Sequence, residues 1–462
     1  MVFSSFEFLF RFLPAFLIIY FITPKKFRNA VLFLGSIAFY TYGEAQYVLL
    51  LLASVTVNYV IARSMYKTPE DGRGRRQAVL LILALCYDFG MLFFFKYSGL
   101  TTKLPLGISF YTFQIAAYVI DVYRGIVPAE KSYVNLGTYL TMFPQLIAGP
   151  IVNYTEVSSC LKRRTVTARD FESGVRILVI GLGSKVIIAD RVGMLWNNVQ
   201  TIGFNSISTP LAWLGAVAYS MELYFDFAGY SMMAIGLGKM LGFQIPVNFR
   251  FPYISKSVTE FWRRWHISLS SWVRDYLFLP LSSFTRRWGQ WGVAASLMVT
   301  FIALGVWHGA GWTFAVYGFI QGLVIVWELR TERIRNKVRK HIGGRLFAML
   351  SVIRTYLIFA VSLVFFKAKS VSDAFYFLRN ISFQTHASWK EINIGMSDHI
   401  CIVAGAALLL MLLYDFFMSK GDLHRRLERQ PILLRWTIYY LIVFALFAYG
   451  KFGTENFIYL QF

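Results

Sequence analysis

Two of the six histidines in this chain lie in apolar or aromatic sequence, where an ionisable side chain is costly to bury. His266 lies among tryptophans in "FWRRWHISLSSW", and His308 ends the apolar run "FIALGVWH". Gly309 and Gly311 follow His308, and glycines allow backbone or a bound molecule to come close to the imidazole. Since a neutral imidazole is a competent general base near pH 7, His308 is a candidate for proton transfer. The alternative is a neutral histidine that is hydrogen-bonded between helices.

The remaining groups do not suggest a metal centre. The other four histidines lie in polar loop sequence and are expected to be solvated: His341, His386, His399 and His424. His266 and His308 are more than forty residues apart, with no cysteine or carboxylate at ligand spacing. The three cysteines are scattered and give no disulfide framework. We therefore expect neither a bound metal nor a bound cofactor.

One carboxylate, Asp226, lies between aromatic residues in "YFDFAGYSMMAIGLGKMLGF". Such a group could orient a histidine or an arginine, so Asp226 is a predicted substrate-binding residue. The segment GLGKMLG that follows faintly resembles a phosphate-binding loop. Because Met240 follows Lys239 where that loop requires Ser or Thr, close helix packing is the better interpretation.

The stretch "SKSVTEFWRRWHISLSSWVRDYLFLP" (255–280) has the pattern of an amphipathic helix. Residues at spacings of three and four form its apolar face: Trp262, Trp265, His266, Leu269, Trp272, Val273 and Tyr276. We expect the segment to lie along a membrane interface or against a helix bundle. Arg264 and Arg274 could bind donor phosphates or meet lipid head groups, and the tryptophans could form an aromatic belt.

The elements that must position these residues are membrane helices. Hydrophobic residues make up 57% of the 462-residue chain and charged residues 15%, whereas soluble domains have about 25% charged residues. Apolar runs of roughly 20 residues predict about eleven membrane crossings, with some re-entrant segments. The segment "MVFSSFEFLFRFLPAFLIIY" is predicted to be a retained first span. No long polar linker interrupts the chain, so residues 1–462 are predicted to form a single all-α membrane domain.

The net charge of +22 does not indicate nucleic-acid binding, because the lysines and arginines collect in short loops between apolar runs. Such loops are expected to face the cytoplasm: 24–28, 71–76, 161–164, 285–287, 330–340 and 424–429. The last span, 433–449, then leads away from the cytoplasm. The tail "GTENFIYLQF" is therefore expected at the outer side of the membrane.

Several sequence blocks resemble the membrane-bound O-acyltransferases: "LPLGISFYTFQIAAYVIDVYRG" (104–125), "FPQLIAGPIVNY" (143–154), "YFDFAGYS" (224–231), the WRRWH block (248–281) and "WHGAGWTF" (307–314). The resemblance runs from about Leu104 to the last residue, with a motif-bearing core at about 104–330. It is greatest to the bacterial branch that includes alginate and peptidoglycan O-acetyltransferases. The fold it implies is a ring of tilted helices around a central funnel, in the bacterial cytoplasmic membrane.

The resemblance also implies roles for individual residues. The catalytic histidine of the family lies in the WHG block and corresponds to His308, and the WRRWH block supplies a second histidine, His266. Trp265 and Trp307, their neighbours, are predicted to contact substrate. In such enzymes a histidine deprotonates an oxygen nucleophile, which attacks the carbonyl of a cytoplasmic thioester such as acetyl-CoA. An extracytoplasmic acetyltransferase of the SGNH type is the implied partner, and a cell-surface polysaccharide is the implied acceptor.

Two departures favour a neighbouring branch, the D-alanyl transferases of teichoic acid. Met232 replaces the Asp of the usual GYSDMAIG, and "PVNF" (246–249) replaces PENF. The block "WHGAGWTF" and the chain length favour the acetylating branch, so both remain open. A transporter that catalyses no reaction is a more distant alternative. Inverted repeats in the sequence would favour a transporter, and none is detected.

The tail has the pattern FxYxxF, formed by Phe457, Tyr459 and Phe462. It resembles the C-terminal motif of the small partner peptide of the D-alanylating branch, whose tyrosine accepts the acyl group. A phenol has a pKa near 10, and a histidine base can activate it. The resemblance implies that Tyr459 is a built-in acyl carrier. The alternative is an aromatic residue of the membrane interface.

Overall fold

The computed structural model describes residues 2–66, 74–100, 103–147, 149–204, 207–383, 397–421, 426–427, 429–453 and 457–458. Tyr459, Phe462, His386 and His424 lie outside these residues, so the predictions for them remain predictions. Throughout the described residues the regular elements are helices, which confirms the predicted all-α class. Helices suit an apolar chain because they satisfy backbone N–H and C=O groups within one segment.

Long helices alternate with short helical turns. The longer helices are Leu13–Ile22, Arg28–Glu44, Val48–Met65, Arg75–Tyr97, Ile108–Arg124, Tyr133–Thr141, Tyr154–Lys162, Ala168–Gly183, Asp190–Ile202, Thr209–Met240, Gln290–His308, Trp312–Arg330, Glu332–Ile342, Gly344–Lys367, Val371–Phe383, Asp398–Lys420 and Ile432–Tyr449. Shorter helices are Phe143–Leu146, Val258–Trp262, Ile267–Val273 and Leu279–Phe284. π-Helical turns occupy Glu7–Phe12, Ser184–Ala189 and Arg274–Phe278, and 3₁₀ turns occupy Lys25–Phe27, Ala45–Tyr47, Pro252–Ile254 and Arg286–Trp288.

Seven helical segments of the described chain are long and apolar enough to cross a membrane: Lys25–Met65, Arg75–Tyr97, Gln290–His308, Trp312–Arg330, Gly344–Lys367, Asp398–Lys420 and Ile432–Tyr449. The chain is therefore a multi-pass membrane protein, with fewer such segments than the about eleven crossings predicted from apolar runs. Part of the difference comes from short, enclosed helices. Ile108–Arg124 has 17 residues, and most of its side chains are buried.

The described chain forms two compact units. The first comprises Met1–Leu182, Tyr230–Val247 and Phe452–Gln461. Within it, Gly236 packs so closely on Gly174 that a Cβ on Gly236 would come within 2.5 Å of the Gly174 carbonyl oxygen. This close approach confirms the predicted helix packing for Gly236.

The second unit comprises Gly183–Gly229 and Asn248–Lys451, and it contains both histidines of interest. Helices Gln290–His308 and Trp312–Arg330 follow each other across a short turn. A Cβ on Gly309, in this turn, would come within 2.2 Å of the Phe314 ring. Gly309 thus admits an aromatic side chain close to His308, where we expected backbone or substrate.

The predicted amphipathic segment is not one helix. It forms Val258–Trp262, a break at residues 263–266, Ile267–Val273, the turn Arg274–Phe278 and Leu279–Phe284. Six of its seven predicted apolar-face residues are buried, each at most 7% exposed: Trp262, Trp265, His266, Leu269, Trp272 and Val273. The prediction of one continuous helix was wrong. The backbone of His266 is left-handed, with φ of 43°, and this interrupts a right-handed helix.

Candidate active site

Asn248 holds His266 in the turn between two short helices. The side-chain oxygen of Asn248, Oδ1, lies 3.2 Å from His266 Nδ1 and accepts hydrogen bonds from Ser268 N at 3.1 Å and Ser268 Oγ at 2.9 Å. In the main chain, Ile267 N donates to Asn248 O at 2.9 Å. These bonds stabilise the left-handed backbone at His266, a conformation that costs about 1–2 kcal/mol for a residue with a Cβ. Strained residues held by their surroundings cluster at functional sites.

Aromatic rings enclose the His266 imidazole. The side chain is 1% exposed, and its ring centroid lies 4.6 Å from that of Phe227 and 6.4 Å from that of Phe249. Burial lowers the pKa of His266 from 6.5 to about 3, because the charged form would lose its hydration. His266 is therefore neutral at physiological pH.

His308 is the last residue of the helix Gln290–His308 and is 4% exposed. Its ring centroid lies 4.9 Å from that of Phe366 and 4.7 Å from that of Trp307. The general-base role of His308 stays a prediction.

Both histidine segments pack on one face of the helix Gly344–Lys367. The ring centroid of Trp265, next to His266, lies 5.0 Å from that of Phe359, and His308 contacts Phe366. Phe359 and Phe366 are two helical turns apart, which is about 10 Å along the axis and on one side of the helix. The WRRWH and WHG blocks thus pack against the same side of the helix Gly344–Lys367.

A buried carboxylate supports the same region. Glu328, 2% exposed, accepts hydrogen bonds from Val258 N at 2.9 Å and Thr259 N at 3.1 Å, and Arg354 Nη2 lies 3.1 Å from its Oε1. The carboxylate thereby binds the first residues of the helix Val258–Trp262, which leads to His266. We did not predict this role, because Glu328 and Val258 are 70 residues apart and leave no local pattern.

Asp226 pairs with a lysine, whereas we expected it to orient a histidine or an arginine. Lys185 Nζ lies 2.8 Å from Asp226 Oδ1 and 2.6 Å from Asp190 Oδ1, and all three side chains are at most 5% exposed. Lys185 belongs to the π-helical turn Ser184–Ala189, and such turns are frequent at functional sites. The sequence feature that could have predicted this pairing is Lys185 itself, a lone lysine in an apolar run, because a buried charge there requires a partner of opposite charge. The substrate-binding role of Asp226 stays a prediction.

The two arginines predicted to bind donor phosphates are paired with neighbouring carboxylates. Arg264 Nη2 lies 2.9 Å from Glu260 Oε1, and Arg274 Nε lies 2.7 Å from Asp275 Oδ1. The Arg274 side chain is 59% exposed, so it is accessible to a ligand. In the part of the chain that the structure describes, no group of three or more histidine, cysteine, aspartate or glutamate side chains could hold a metal ion.

In the FxYxxF tail the structure describes Phe457 and Ile458. Phe457 is 1% exposed, and its ring centroid lies 4.7 Å from that of Tyr230 in the first unit. A buried Phe457 would anchor the tail by an aromatic contact. The acyl-carrier role of Tyr459 stays a prediction.

The residues just before the tail are bonded within the second unit. Lys451 N donates to Val186 O at 3.2 Å, and Arg191 Nη2 donates to Tyr449 O at 3.2 Å. Val186 and Arg191 each follow a member of the buried ion group, Lys185 or Asp190, directly in sequence. The turn Ser184–Ala189 and the start of the helix Asp190–Ile202 therefore bind the backbone of Lys451 and Tyr449.

Comparison with known proteins relates these features to a family. The sequence model of the membrane-bound O-acyltransferase family matches residues 128–367, which include Asn248, both histidines and the helix Gly344–Lys367. The chain is 35% identical to the probable alginate O-acetylase AlgI of Pseudomonas aeruginosa, over 90% of this chain and 81% of that protein. It is 30% identical to a peptidoglycan O-acetyltransferase of Helicobacter pylori, over 91% and 90% of the two chains. It is also 29% identical to a teichoic acid D-alanyltransferase of Bacillus subtilis, over 54% of this chain and 65% of that protein. These matches show that the chain is an acyltransferase and belongs to the membrane-bound O-acyltransferase family.

Proposed function

We propose that this acyltransferase moves an acetyl group from a cytoplasmic thioester, acetyl-CoA, across the bacterial cytoplasmic membrane for O-acetylation of an extracytoplasmic polysaccharide. The observation that carries the proposal is the packing of both buried histidine segments on one face of the helix Gly344–Lys367. Two relatives are named for the O-acetylation of alginate and of peptidoglycan, which supports an acetyl group and a polysaccharide acceptor. An SGNH-type acetyltransferase outside the membrane completes the transfer.

His308 is the general base of the proposed reaction. Its neutral imidazole removes the proton from the Tyr459 hydroxyl, and the phenolate oxygen attacks the thioester carbonyl. When the tetrahedral intermediate collapses, the C–S bond breaks and the thiolate takes the proton from the imidazolium. The products are free CoA and an acetyl ester on Tyr459. A serine of the partner enzyme then attacks this ester, or receives the acetyl group directly if the tail is bypassed.

The remaining site residues position the reactants. His266 assists as a neutral hydrogen-bonding group, since burial keeps its pKa at about 3. Arg264 and Arg274 contact the donor phosphates, a role that the 59% exposure of Arg274 supports. Three further residues contact substrate: Asp226, Trp265 and Trp307.

The second candidate function is D-alanyl transfer to teichoic acid. Met232 and the "PVNF" segment support it, as does the similarity to a teichoic acid D-alanyltransferase over 54% of this chain. In this case the donor is an aminoacylated carrier protein, and a separate peptide supplies the tyrosine.

Purified protein incubated with labelled acetyl-CoA tests the proposal. We expect label that hydroxylamine releases from the C-terminal peptide, and no such label in Tyr459→Phe. His308→Gln should slow labelling about 10²–10⁴-fold, the usual contribution of a general base. His341→Gln is the matched control, because His341 is exposed in the helix Glu332–Ile342 and should label normally.

Each contrary result has a defined meaning. Label retained at the C-terminal peptide of Tyr459→Phe removes the acyl carrier and leaves the family assignment intact. Equal labelling rates in His308→Gln and His341→Gln remove the general base. Labelling by an aminoacylated carrier protein, without labelling by acetyl-CoA, assigns the chain to D-alanyl transfer.

A further inference from the structure

We propose that Asn248 is a positioning residue that holds His266 as the tautomer with hydrogen on Nδ1 and a lone pair on Nε2. The proposal deepens the proposed function by defining which nitrogen of His266 is available as a hydrogen-bond acceptor in the proposed active site. The tautomer itself follows from hydrogen bonding and does not depend on the substrate.

The other hydrogen bonds of Asn248 identify its side-chain oxygen. A backbone N–H can only donate, and Ser268 N lies 3.1 Å from the Asn248 atom that faces His266. Ser268 Oγ lies 2.9 Å from the same atom. If the side-chain amide were reversed, its NH₂ group would point hydrogen at the N–H of Ser268. The atom is therefore the oxygen, and it lies 3.2 Å from His266 Nδ1.

The hydrogen between these two atoms must belong to the histidine. An amide oxygen only accepts hydrogen bonds, so Nδ1 supplies the hydrogen. A neutral imidazole carries one ring N–H, so Nε2 carries the lone pair. Burial of His266 to 1% exposure disfavours a second hydrogen on the ring.

The backbone determines the distance between the two side chains. Ile267 N donates to Asn248 O, and Arg250 N donates to Arg264 O, each at 2.9 Å, so two chain segments are joined on both sides of the contact. Asn248 is 0% exposed, and His266 has a left-handed backbone. These main-chain bonds therefore keep Asn248 and His266 within reach of each other's side chains.

The choice of tautomer has a chemical consequence. A lone pair on Nε2 can accept hydrogen from a hydroxyl, the kind of group that attacks a thioester. The other tautomer would present an N–H at Nε2 and would donate instead. Asn248 thus makes Nε2 of His266 a hydrogen-bond acceptor, while removal of the proton from the attacking hydroxyl stays with His308.

Nitrogen-15 NMR of the full-length protein, labelled at histidine, tests the proposal at pH 7. We expect His266, assigned by the signals lost in His266→Gln, to show a protonated Nδ1 and an unprotonated Nε2. Asn248→Leu keeps the side-chain volume but removes the acceptor, so the tautomer preference should be lost and acetyl transfer should fall about 10–100-fold. Asn248→Asp keeps an oxygen at this position and should keep the hydrogen on Nδ1.

Ser268→Ala is the matched control, because it removes the hydroxyl but leaves the backbone N–H and Asn248; its His266 tautomer should be unchanged. A hydrogen on Nε2 alone in the unmodified protein overturns the proposal, whether or not any variant folds. An unchanged tautomer in Asn248→Leu overturns it as well. The NMR measurement needs no substrate, so it tests the tautomer independently of the acetyl-CoA assay. Failure of the acetyl-CoA assay would contradict the proposed function but not the tautomer.

Discussion

At the scale of single residues, His266 makes the stability of the protein depend on pH. Burial lowers the pKa of folded His266 to about 3, whereas an unfolded histidine has a pKa of about 6.5. Between these values the unfolded chain binds a proton that the folded protein excludes. The stabilising contribution is therefore fully present above about pH 6.5 and is lost as the pH falls toward 3, by about 2 kcal/mol at pH 5.

We therefore expect the thermal unfolding midpoint in detergent, measured by circular dichroism, to fall on acidification from neutral pH to about pH 5. The fall should be smaller in His266→Gln, which has no group to protonate at this position. His341→Gln should behave like the unmodified protein. An equal fall in His266→Gln would assign the pH dependence to other groups.

Single residues differ in how far the sequence could predict them. His266 and His308 could be found because ionisable residues in apolar sequence are rare and require a reason. Asn248 could not, because it meets His266 from 18 residues away through a tertiary contact. Hydropathy and residue spacing describe a segment by itself, whereas the role of Asn248 arises where two segments meet.

At the scale of elements, the π-helical turn Ser184–Ala189 depends on its buried ion group. Lys185→Met would leave Asp190 and Asp226 buried without their shared cation, and removal of one partner of a buried pair costs about 3–5 kcal/mol. We expect a large loss of thermal stability in this variant. Asp226→Asn should cost less, because Asp190 still pairs with Lys185.

Lys239→Met is the matched control for this prediction. Lys239 Nζ donates to Ser173 Oγ at 2.8 Å, a hydrogen bond to a neutral group. Its loss should cost about 1–3 kcal/mol, measured by unfolding in the same detergent. If Lys185→Met costs no more than Lys239→Met, the ion group does not stabilise the turn.

The helix Val258–Trp262 should depend in a similar way on Glu328. Glu328→Gln keeps the shape of the side chain but removes the charge and one acceptor oxygen, which should cost about 1–3 kcal/mol. Acetyl transfer should fall together with stability, because the same helix leads to His266. Thermal unfolding and the labelling assay measure the two effects. Glu332→Gln, at an exposed residue, should change neither.

The elements themselves were largely predictable, but their interruptions were not. Long apolar runs became helices such as Gly344–Lys367, because an apolar chain in lipid must satisfy its own backbone. The amphipathic run at 255–280 had the spacing of one helix, yet the Asn248 contacts hold a left-handed residue within it. A tertiary contact outweighed local periodicity at that point.

At the scale of the whole molecule, composition was sufficient to predict the class of protein. The chain has 57% hydrophobic and 15% charged residues, fewer charged residues than the about 25% of soluble domains. The packing of both histidine segments on the helix Gly344–Lys367 could not be predicted. Both segments precede this helix in the chain, and no sequence pattern in either segment indicates which helix it contacts. The ring of helices around a funnel stays an expectation from the family.

The tail provides a test that involves the whole molecule. A chain that ends at Gly453 lacks the FxYxxF pattern, so acetyl-CoA should no longer give a hydroxylamine-labile C-terminal product. A synthetic peptide of residues 452–462 should restore transfer when added separately, because it carries Phe457, which is 1% exposed in the intact protein. Mass spectrometry of the peptide measures the result.

An acetyl ester on Tyr459 of that peptide is the expected product, and the same peptide with Tyr459→Phe should stay unmodified. Addition of alanine from an aminoacylated carrier, with no acetyl group from acetyl-CoA, would instead support D-alanyl transfer. An acetylated Tyr459→Phe peptide would contradict the phenol as the acceptor. Because the truncated chain keeps both histidines and the helix Gly344–Lys367, rescue by the peptide would separate the catalytic machinery from the group that carries the acetyl.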